Sequence, residues 1–592
     1  MRHTLGIISR ELPRRDALRV TVAWVGLLGL AAAIAPGLRA AEPTPAPKPA
    51  KPTDYGKAIA RLEQIADEEL KRGLIPGVSI ALVDDQQTVC ARGFGLADKA
   101  RRVPATPQTV YRVGSISKLF NAMAVMQLVE QGKLDLDKPV TGYDPQFRIV
   151  NPFDGSPPVT LRQLLCHRSG MVRESPVGGY FDPSQPTIAA TVASLSPCVL
   201  VYPPGTRTKY SNIGATVAGH VVEHAAGMPF AEYQRKHLLE PMGMHGSAFL
   251  VNAEIRKRLA AGAMEVADGR GGFRTIEAPH FELGTIPAGN LYTTAEDLAR
   301  FVRVLLAGGR AGQRQLLKPE TLRQMFTVQL SAEKSGFGLG FHVGRFRRHA
   351  AVTHMGAVYG FTSSVTVLPE EKLGVVVLAN ADITTGPVHK LNDLALGLLL
   401  EARLAEPMPA EKAASAGSPA GLPADAASLA GDYESESYWA RVELRGEKLT
   451  AILSGRAIAL APAGGDKFTA DGLLLDREPV VFEREGGRVS GFTARGQKFR
   501  RVDPNRTPEP PKEWKRLLGS YGPDFIPLVI SLRHGHFYAM TENMDDYRLR
   551  PINPTVFGFP PGMYVDEQLV FQVGPDGRVH AAVLGNMVLP RN

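Results

Sequence analysis

The chain has 592 residues, of which 44% are apolar and 21% are charged, so it is long enough for several globular domains of ordinary composition. Its formal net charge is +9, but six arginines and two acidic residues lie within the first 41 residues, which leaves +5 for the rest. So weak an excess of positive charge gives no reason to expect nucleic acid as a partner, and we expect none.

The first 41 residues are typical of an export signal. A basic region precedes an apolar run over residues 20–35, and small residues follow around Ala40 and Ala41. The stretch PRRDALRV resembles a twin-arginine signal. The apolar run is short for a membrane span, although an uncleaved anchor is the alternative. We predict a signal peptide over 1–41 and a periplasmic or secreted protein, which meets the membrane only through an uncleaved leader.

The next part of the chain is predicted to form an α+β domain. A proline-rich spacer over 42–53 precedes a helix pattern, GKAIARLEQIADEELK, and then two strand patterns around a polar turn. Helical and loop segments follow to about residue 250, and short strands return from residue 336 before a closing helix. Strands at both ends with helices between them predict an α+β domain over 54–405.

Two similar units occupy the C-terminal part. LAGDY, ending at Tyr433, recurs as LLGSY, ending at Tyr521, and VVFEREGGRV recurs at nearly the same offset as LVFQVGPDGRV. This agreement predicts a duplicated all-β module, and the short strands suit small β-barrels of the lipocalin-like kind. The predicted segments are a linker over 406–426, a barrel over 427–502, a linker over 503–512 and a barrel over 513–592.

The cysteine pattern excludes a disulfide framework. Cys90, Cys166 and Cys198 are an odd and sparse set, and their spacing contains no C-x-x-C or Cys/His zinc signature. We expect unpaired packing cysteines, with a single disulfide as the alternative.

The stretch YRVGSISKLF contains the first candidate for chemistry. Ser115 and Lys118 lie three residues apart where an apolar helix pattern begins, so on a helix they share a face. A helix N-terminus favours an oxyanion and lowers a lysine pKa. A second S-x-x-K match, from Ser331 to Lys334, lies in a polar loop. Taken alone, the pattern also suits a helix-capping serine and a solvated lysine.

Two later motifs lie at the boundaries of predicted elements. Tyr210 and Asn212 in YSN follow a Pro/Gly turn, and a tyrosine hydroxyl there can relay a proton. A core tyrosine followed by an N-cap asparagine is the alternative. His354 and Gly356 in HMG are predicted to end a strand, where glycine lets a substrate approach the backbone. A rival HVG over 342–344 precedes a basic hairpin turn.

The motifs S-x-x-K, Y-x-N and H-x-G, in this order, resemble those of the serine β-lactamase and penicillin-binding-protein superfamily. The resemblance is closest to its branch of class C β-lactamases, DD-peptidases, D-aminopeptidases and related esterases. LRQLLCHRSGM, EPMGM, PAGNLYTTAEDLARF and GFGLGF are also similar to segments of that branch. The resemblance covers residues 54–405, and it implies an antiparallel sheet flanked by helices together with a helical subdomain.

The resemblance also implies roles for individual residues. Ser115 would be the nucleophile and Lys118 its base. Tyr210 would be the proton relay, and Asn212 would orient both the lysine and the substrate. The substrate-binding strand would carry His354 and Gly356, and the backbone N–H groups of Ser115 and Ala357 would form the oxyanion hole. The implied reaction is acyl transfer through a covalent acyl-enzyme followed by hydrolysis, which requires no metal or organic cofactor.

We therefore expect an exported serine hydrolase that cleaves an amide, peptide or ester in a small molecule or short peptide, with peptidoglycan fragments as one option. His354 stands where β-lactamases of this branch carry a lysine, and a histidine is largely neutral at pH 7. This favours a D-aminopeptidase, a DD-peptidase-like enzyme or an esterase. A β-lactamase and a catalytically silent penicillin or peptidoglycan sensor are the alternatives. The loops of at least one barrel are expected to lean over the active site, with YGPDFIP over 521–527 as the candidate.

Overall fold

The computed structural model describes residues 53–268, 271–408, 421–503, 505 and 509–592. The predicted signal peptide, most of the spacer and much of the first linker lie outside these residues, so those assignments stay predictions. Among the described residues, no helix is both long enough and apolar enough to cross a membrane.

The first domain mixes helices with strands. Its helices are α1 (Gly56–Lys71), α2 (Ser117–Glu130), α3 (Leu161–Leu165), α4 (Ile188–Ala193), α5 (Asn212–Ala226), α6 (Phe230–Gln234), α7 (Ala253–Arg258), α8 (Ile286–Gly289), α9 (Ala295–Leu306), α10 (Pro319–Met325) and α11 (Thr385–Leu404). Its strands are β1 (Gly77–Asp84), β2 (Gln87–Asp98), β3 (Val103–Pro104), β4 (Tyr111–Arg112), β5 (Ala263–Ala267), β6 (Phe273–Glu277), β7 (Tyr292–Thr293), β8 (Arg310–Ala311), β9 (Arg314–Gln315), β10 (Gly336–Phe337), β11 (His342–Phe346), β12 (His349–Val358), β13 (Phe361–Leu368) and β14 (Leu373–Ala379). The predicted α+β class is confirmed.

An eight-stranded sheet organises this domain. Its strand order is β10-β11-β12-β13-β14-β1-β2-β3, and the N-terminal strands join the C-terminal ones through antiparallel pairing of β1 with β14. Helices α1 and α11 pack together on one face, and α9 packs against β1 and β14. Strands β13 and β14 are buried along their whole length, because helices cover both faces of the sheet.

Helix α2 lies in the centre of the helical part. Its residues Ser117 through Leu128 are all buried, because α5, α6 and α8 surround it. The apolar helix pattern in the sequence predicts one buried stripe, at Ile116, Leu119, Phe120, Met123 and Met126, and these positions are buried. The pattern did not indicate that the other positions before the last turn are buried as well. The helix also begins at Ser117, so Ser115 lies in the turn that precedes it.

Two β-modules follow the first domain. The first is a closed eight-stranded barrel of β15 (Gly431–Glu434), β16 (Trp439–Arg445), β17 (Lys448–Leu453), β18 (Arg456–Pro462), β19 (Lys467–Asp471), β20 (Asp476–Glu485), β21 (Arg488–Ala494) and β22 (Gln497–Arg501). The second contains β23 (Gly519–Tyr521), β24 (Leu528–Arg533), β25 (His536–Thr541), β26 (Asp545–Arg548), β27 (Arg550–Asn553), β28 (Val556–Gly558), β29 (Gln568–Val573), β30 (Val579–Leu584) and β31 (Met587–Pro590). Its strands form a four-stranded and a five-stranded sheet, with a bridge between Tyr521 and Arg591. The second copy therefore keeps the all-β character but is split where the first is closed.

The two modules share a tyrosine corner. The Tyr433 hydroxyl donates to the Leu429 carbonyl at 2.6 Å, and the Tyr521 hydroxyl donates to the Leu517 carbonyl at 2.7 Å. Both tyrosines are fully buried. The same hydrogen bond to the residue four positions earlier supports the duplication that the sequence repeat predicts.

An arginine completes each corner. The Arg501 and Arg591 guanidinium groups each lie 5.9 Å from the ring centroid of their module's tyrosine. Each guanidinium also donates to two backbone carbonyls in and just after the 3₁₀ turn that begins its module. The C-terminal strand of each module is thus tied to its N-terminal turn.

We expect Tyr433→Phe and Tyr521→Phe each to lower the free energy of unfolding of its own module by about 1 kcal/mol, because each removes one buried hydrogen bond. Urea unfolding can be followed by the fluorescence of Trp439 for the first module and Trp514 for the second. The two effects should add in the double variant, because the corners share no partners. Unchanged unfolding curves for both single variants would contradict a structural role.

Candidate active site

The Ser115 and Lys118 side chains meet at the start of α2. The Lys118 Nζ lies 3.0 Å from the Ser115 Oγ, and Lys118 is only 2% exposed. Ser115 is half-buried, whereas its neighbours from Tyr111 through Phe120 are buried. Helix α2 has no side-chain N-cap. The alternative of a capping serine and a solvated lysine is therefore wrong.

The surroundings of Lys118 suit a neutral amine. Its Nζ donates to the Asn212 Oδ1 and to the Ala288 carbonyl, both at 2.8 Å. Both partners are acceptors only, so a neutral amine that donates two N–H groups to them directs its lone pair at the Ser115 hydroxyl. Burial lowers the pKa of Lys118 well below its usual value, and Arg173 lowers it further against the opposing effect of Glu174. The amine can therefore accept a proton near neutral pH.

Asn212 is available to hold this lysine because another residue caps its helix. Ser211 is the N-cap of α5, and its Oγ accepts a hydrogen bond from the Gly214 N–H at 2.9 Å. The alternative of Asn212 as an ordinary N-cap is wrong. The Asn212 Oδ1 faces Lys118, and its Nδ2 donates to the Glu174 Oε1.

Tyr210 contacts both members of the Ser/Lys pair. Its ring centroid lies 4.9 Å from the Lys118 Nζ. Burial raises the pKa of Tyr210 to about 12, although the nearby Ser115 hydroxyl acts to lower the pKa of this phenol. The phenol thus keeps its proton at neutral pH, as a proton donor to a leaving group must.

His167, in the CHRSG loop, supports Tyr210. The two ring centroids lie 4.2 Å apart, and the His167 Nδ1 accepts a hydrogen bond from the Ser211 N–H at 3.2 Å. Burial holds the pKa of His167 well below its usual value, so the ring is neutral. Its contacts are those of a positioning residue.

His354 lies inside a strand and not at its end. Strand β12 continues to Val358, two residues beyond Gly356, so the predicted strand end at HMG comes two residues too early. The His354 Nδ1 lies 2.6 Å from the Met355 carbonyl, which can only accept, so Nδ1 carries the proton and Nε2 is an acceptor. Among the described residues, this buried Nε2 has no hydrogen-bond partner. Burial and the nearby Lys118 lower the pKa of His354 to about 3, so it supplies no positive charge.

Gly356 is needed for packing against the segment that carries Ser115. A Cβ at this position would lie 2.0 Å from the Val113 carbonyl oxygen and 2.6 Å from the Ser363 Oγ. From the sequence, this glycine is expected to let a substrate come close to the backbone. In the structure it is the Val113 backbone of the same chain that lies there. Strand β12 thus lies directly against the turn that precedes α2.

The two predicted oxyanion-hole residues are adjacent. A Cβ on Gly114, which has a φ of +49°, would meet the Ala357 backbone N at 2.9 Å, and Gly114 directly precedes Ser115. Pairing of β11 with β12 ends at Thr353, so around Ala357 the strand neighbour in the sheet is β13. This edge of β12 therefore faces the Ser115 turn, as an oxyanion hole built from two backbone N–H groups requires.

Sequence reasoning missed Glu174. Its Oε1 accepts from Asn212, and its Oε2 is buried without a hydrogen-bond partner in the described part of the chain. Burial raises the pKa of Glu174 to about 7, although the neighbouring Arg173 acts in the opposite direction. The only signal for Glu174 in the sequence is its position shortly after CHRSG. Its spacing from that motif matches no known pattern, so it gave no prediction.

The second β-module reaches this site. The Arg173 guanidinium donates to both carboxylate oxygens of Glu542, at 3.0 and 3.2 Å, and the Tyr564 hydroxyl donates to the same carboxylate at 2.8 Å. Glu567 accepts from the Arg173 backbone N–H at 3.0 Å and pairs with Lys209 at 2.8 Å. The second module, which is not the closed barrel that the sequence predicts, thus contacts the catalytic domain beside the active site, through Glu542 and Glu567.

The predicted loop YGPDFIP also contacts the catalytic domain. The Phe525 ring lies 5.5 Å from the rings of both Phe281 and Tyr359. A cavity of about 480 Å³ separates the neighbouring part of the module from the catalytic domain, with Gly179, Pro523 and Met587 among its lining residues. The glutamates that pair with Arg173 and Lys209 come from other turns of the module, which the sequence pattern did not indicate.

The family follows from comparison with known proteins. Residues 62–400 match the family model described as Beta-lactamase, and the chain belongs to this family. The human protein beta-lactamase-like 1 is 29% identical over 372 residues, which are 60% of this chain and 71% of that protein. Protein flp of Staphylococcus aureus strain MW2 is 25% identical over 328 residues, which are 54% of this chain and 62% of that protein.

Solved structures show the same fold. The octameric penicillin-binding protein homologue of Pyrococcus abyssi is similar with a TM-score of 0.53 and 24% identity, over 83% of this chain and 99% of that one. The D-amino acid amidase of Ochrobactrum anthropi SV3 is similar with a TM-score of 0.50 and 23% identity, over 59% of this chain and 100% of that one. The fold is that of the serine β-lactamase and penicillin-binding-protein superfamily, and its members include serine hydrolases.

Glu174 should make stability fall as pH rises. Its pKa increases from 4.5 to about 7 on folding, so between these values the folded state holds a proton that the unfolded chain has released. Protonated Glu174 therefore stabilises the folded state fully below the pKa of the unfolded chain, and this contribution is lost as pH rises through the pKa of the folded state. In the wild type this proton makes the free energy of unfolding fall by about 1 kcal/mol per pH unit, and we expect Glu174→Gln to remove that dependence. Urea unfolding at pH 5, 6 and 7 measures it, and parallel curves for both proteins would contradict the assignment.

Glu542→Gln should lower kcat about tenfold, because it weakens charge-assisted hydrogen bonds that hold Arg173 beside Glu174. Glu513→Gln, at an exposed position of the same module, is the matched control and should leave kcat unchanged. Both variants should keep the thermal midpoint of the wild type within a few degrees. Equal kcat for Glu542→Gln and wild type would contradict a positioning role for the second module.

Proposed function

We propose that this protein is a serine hydrolase that cleaves an amide, peptide or ester bond through an acyl-enzyme on Ser115. The observation that carries the proposal is the Lys118 amine, which lies 3.0 Å from the Ser115 Oγ while two acceptors take its other N–H groups. A buried neutral amine in this position is a general base for the hydroxyl.

The proposed reaction moves one proton around the site. Lys118 takes the Ser115 proton as Oγ attacks the substrate carbonyl, and the backbone N–H groups of Ser115 and Ala357 stabilise the oxyanion. Tyr210 gives its proton to the leaving group, and the proton on Lys118 restores the phenol. Water then enters, loses its proton to the same groups, and releases the acyl chain from Ser115.

The charges around the nucleophile favour substrates without a carboxylate. His354 is neutral, and the nearby Arg173 and Lys209 are each paired with a glutamate of the second module. A β-lactam or D-Ala-D-Ala carboxylate would therefore compete with existing ion pairs for its counter-charge. This supports a D-aminopeptidase-like enzyme or an esterase above a β-lactamase.

Two unpartnered acceptors support an amine- or amide-bearing substrate. The Glu174 Oε2 and the His354 Nε2 are buried, and within the described residues neither has a hydrogen-bond partner. Buried acceptors of this kind are costly unless a ligand donates to them. A substrate ammonium or amide N–H would satisfy the His354 Nε2, and it would also satisfy the Glu174 Oε2 when that carboxyl is ionised.

The second module supports short substrates. Glu542 and Glu567 contact Arg173, and Tyr564 donates to Glu542. The Arg173 guanidinium lies 5.9 Å from the ring centroid of Tyr210, so these contacts lie close to the site. We propose that this limits the acyl donor to a small molecule or short peptide, which an exported enzyme meets in the periplasm or outside the cell. A sensor that only binds would not need a proton relay from Tyr210.

Ser115→Ala should lower kcat/KM for a short-chain p-nitrophenyl ester by at least a thousandfold and leave the circular dichroism spectrum unchanged. Lys118→Ala and Tyr210→Phe should each lower it by orders of magnitude, because the three groups act as one proton-transfer unit. The matched control is Ser331→Ala, which removes the exposed serine of the second S-x-x-K match. A fluorophosphonate should label the peptide that contains Ser115, and loss of activity in Ser331→Ala alone would overturn the assignment.

The substrate class can be ranked on one enzyme preparation. We expect D-alanine p-nitroanilide and short esters to be cleaved with higher kcat/KM than N-acetyl-D-alanine p-nitroanilide, D-Ala-D-Ala peptides or nitrocefin. Nitrocefin as the best substrate would instead favour a β-lactamase. Labelling of Ser115 without turnover of any of these compounds would favour a penicillin or peptidoglycan sensor.

A further inference from the structure

A second cluster of ionisable side chains lies away from Ser115. Asp144 follows a 3₁₀ turn, Val140–Gly142, and faces His220 and His224, which lie one turn apart on α5. The Asp144 Oδ2 is 2.6 Å from the His220 Nδ1, and the Asp144 Oδ1 is 3.7 Å from the His224 Nε2. One ligand atom from each residue lies within 4.8 Å of the other two. Asp144 is 0% and His220 is 4% exposed.

This cluster has the donor set and the dimensions of a zinc site. Zinc binds imidazole nitrogens and carboxylate oxygens at about 2.0–2.1 Å, so tetrahedral ligand atoms lie about 3.3 Å apart. The Asp144 Oδ1 accepts from the Gln146 and Phe147 backbone N–H groups, which leaves Oδ2 as the ligand atom. The three ligand atoms lie within 4.8 Å of one another, so side-chain shifts of about 1.5 Å or less would reach the zinc spacing. The ion would take the place of the proton now shared by Asp144 and His220, and that proton would leave to solvent.

The surroundings favour an ion held for structure. The His224 side chain is 38% exposed, which gives the ion an entry path and leaves its fourth position to water. Glu223 lies between the histidines in sequence, in HVVEH, but its Oε1 accepts from the Phe230 N–H at 2.7 Å and so caps α6. It is therefore not placed as a general base for a metal-bound water.

We propose that Asp144, His220 and His224 bind one Zn²⁺ ion that joins α5 to the segment after Val140–Gly142. The same helix begins with Asn212, which holds Lys118. Asn212 and His220 are eight residues apart, or about 12 Å along a helix, so the ion lies apart from the nucleophile and takes no part in the acyl transfer. Its expected effect is to raise the thermal stability of the catalytic domain.

Isothermal titration of the untagged, chelator-treated full chain with ZnCl₂ tests the proposal. We expect one ion per chain, a raised thermal midpoint, and an affinity at least tenfold weaker in His224→Ala and in Asp144→Asn. The matched control is His389→Ala, which removes another exposed histidine one turn from an aspartate, His389 Nδ1 being 3.4 Å from the Asp393 Oδ1. That control should bind zinc like the wild type.

Two readouts on the wild type keep the test independent of any variant that fails to fold. Co²⁺ in place of zinc should give the strong visible absorption of a four-coordinate site, and the weak spectrum of aqueous cobalt would overturn the proposal. Hydrolysis of the p-nitrophenyl ester should be the same with and without one equivalent of zinc. Inhibition of hydrolysis by one equivalent of zinc would place the ion at the Ser115 site and would overturn the proposal. Zinc binding of unchanged affinity in His224→Ala would also overturn it.

Discussion

The burial of one lysine amine is the constraint on which the rest of this structure depends. Lys118 is 2% exposed, and a buried ammonium without compensation is costly, so the amine favours its neutral form. It is kept in place by Asn212 and the Ala288 carbonyl, which come from two helices far from it in sequence. Helix α2 must therefore lie inside the domain, and the Ser115 hydroxyl becomes the remaining polar neighbour of Lys118 Nζ.

A neutral amine also restricts the charges allowed around it. Arg173 is close enough to lower the pKa of Lys118, and an unpaired guanidinium there would be costly to bury. Glu542 and Glu567 of the second β-module bind Arg173 and Lys209, so the appended module supplies the counter-charges of the catalytic domain. This makes the module part of the site's electrostatics, which neither of its sequence repeats indicates.

The Asp144 cluster follows the same physical rule in another part of the fold. A buried carboxylate is retained where a partner compensates it, here the imidazole of His220. Helix α5 thus carries polar groups at two levels, with Asn212 at its start facing Lys118 and His220 two turns later facing Asp144. Rigid attachment of this helix at both levels would fix the position of Asn212.

The sequence by itself determined the fold class and the repeat that ends in Tyr433 and Tyr521. Its motifs also indicated Ser115, Lys118, Tyr210 and Asn212, through their resemblance to those of a known superfamily. These are readable because periodicity, turn residues and short spacings are local signals. The tertiary structure alone decided that α2 is buried all round and that Gly356 faces Val113. It also brought Glu542 to Arg173, 369 positions away. Contacts of this kind depend on how distant elements pack, and no local pattern encodes which charges will meet when they are removed from water.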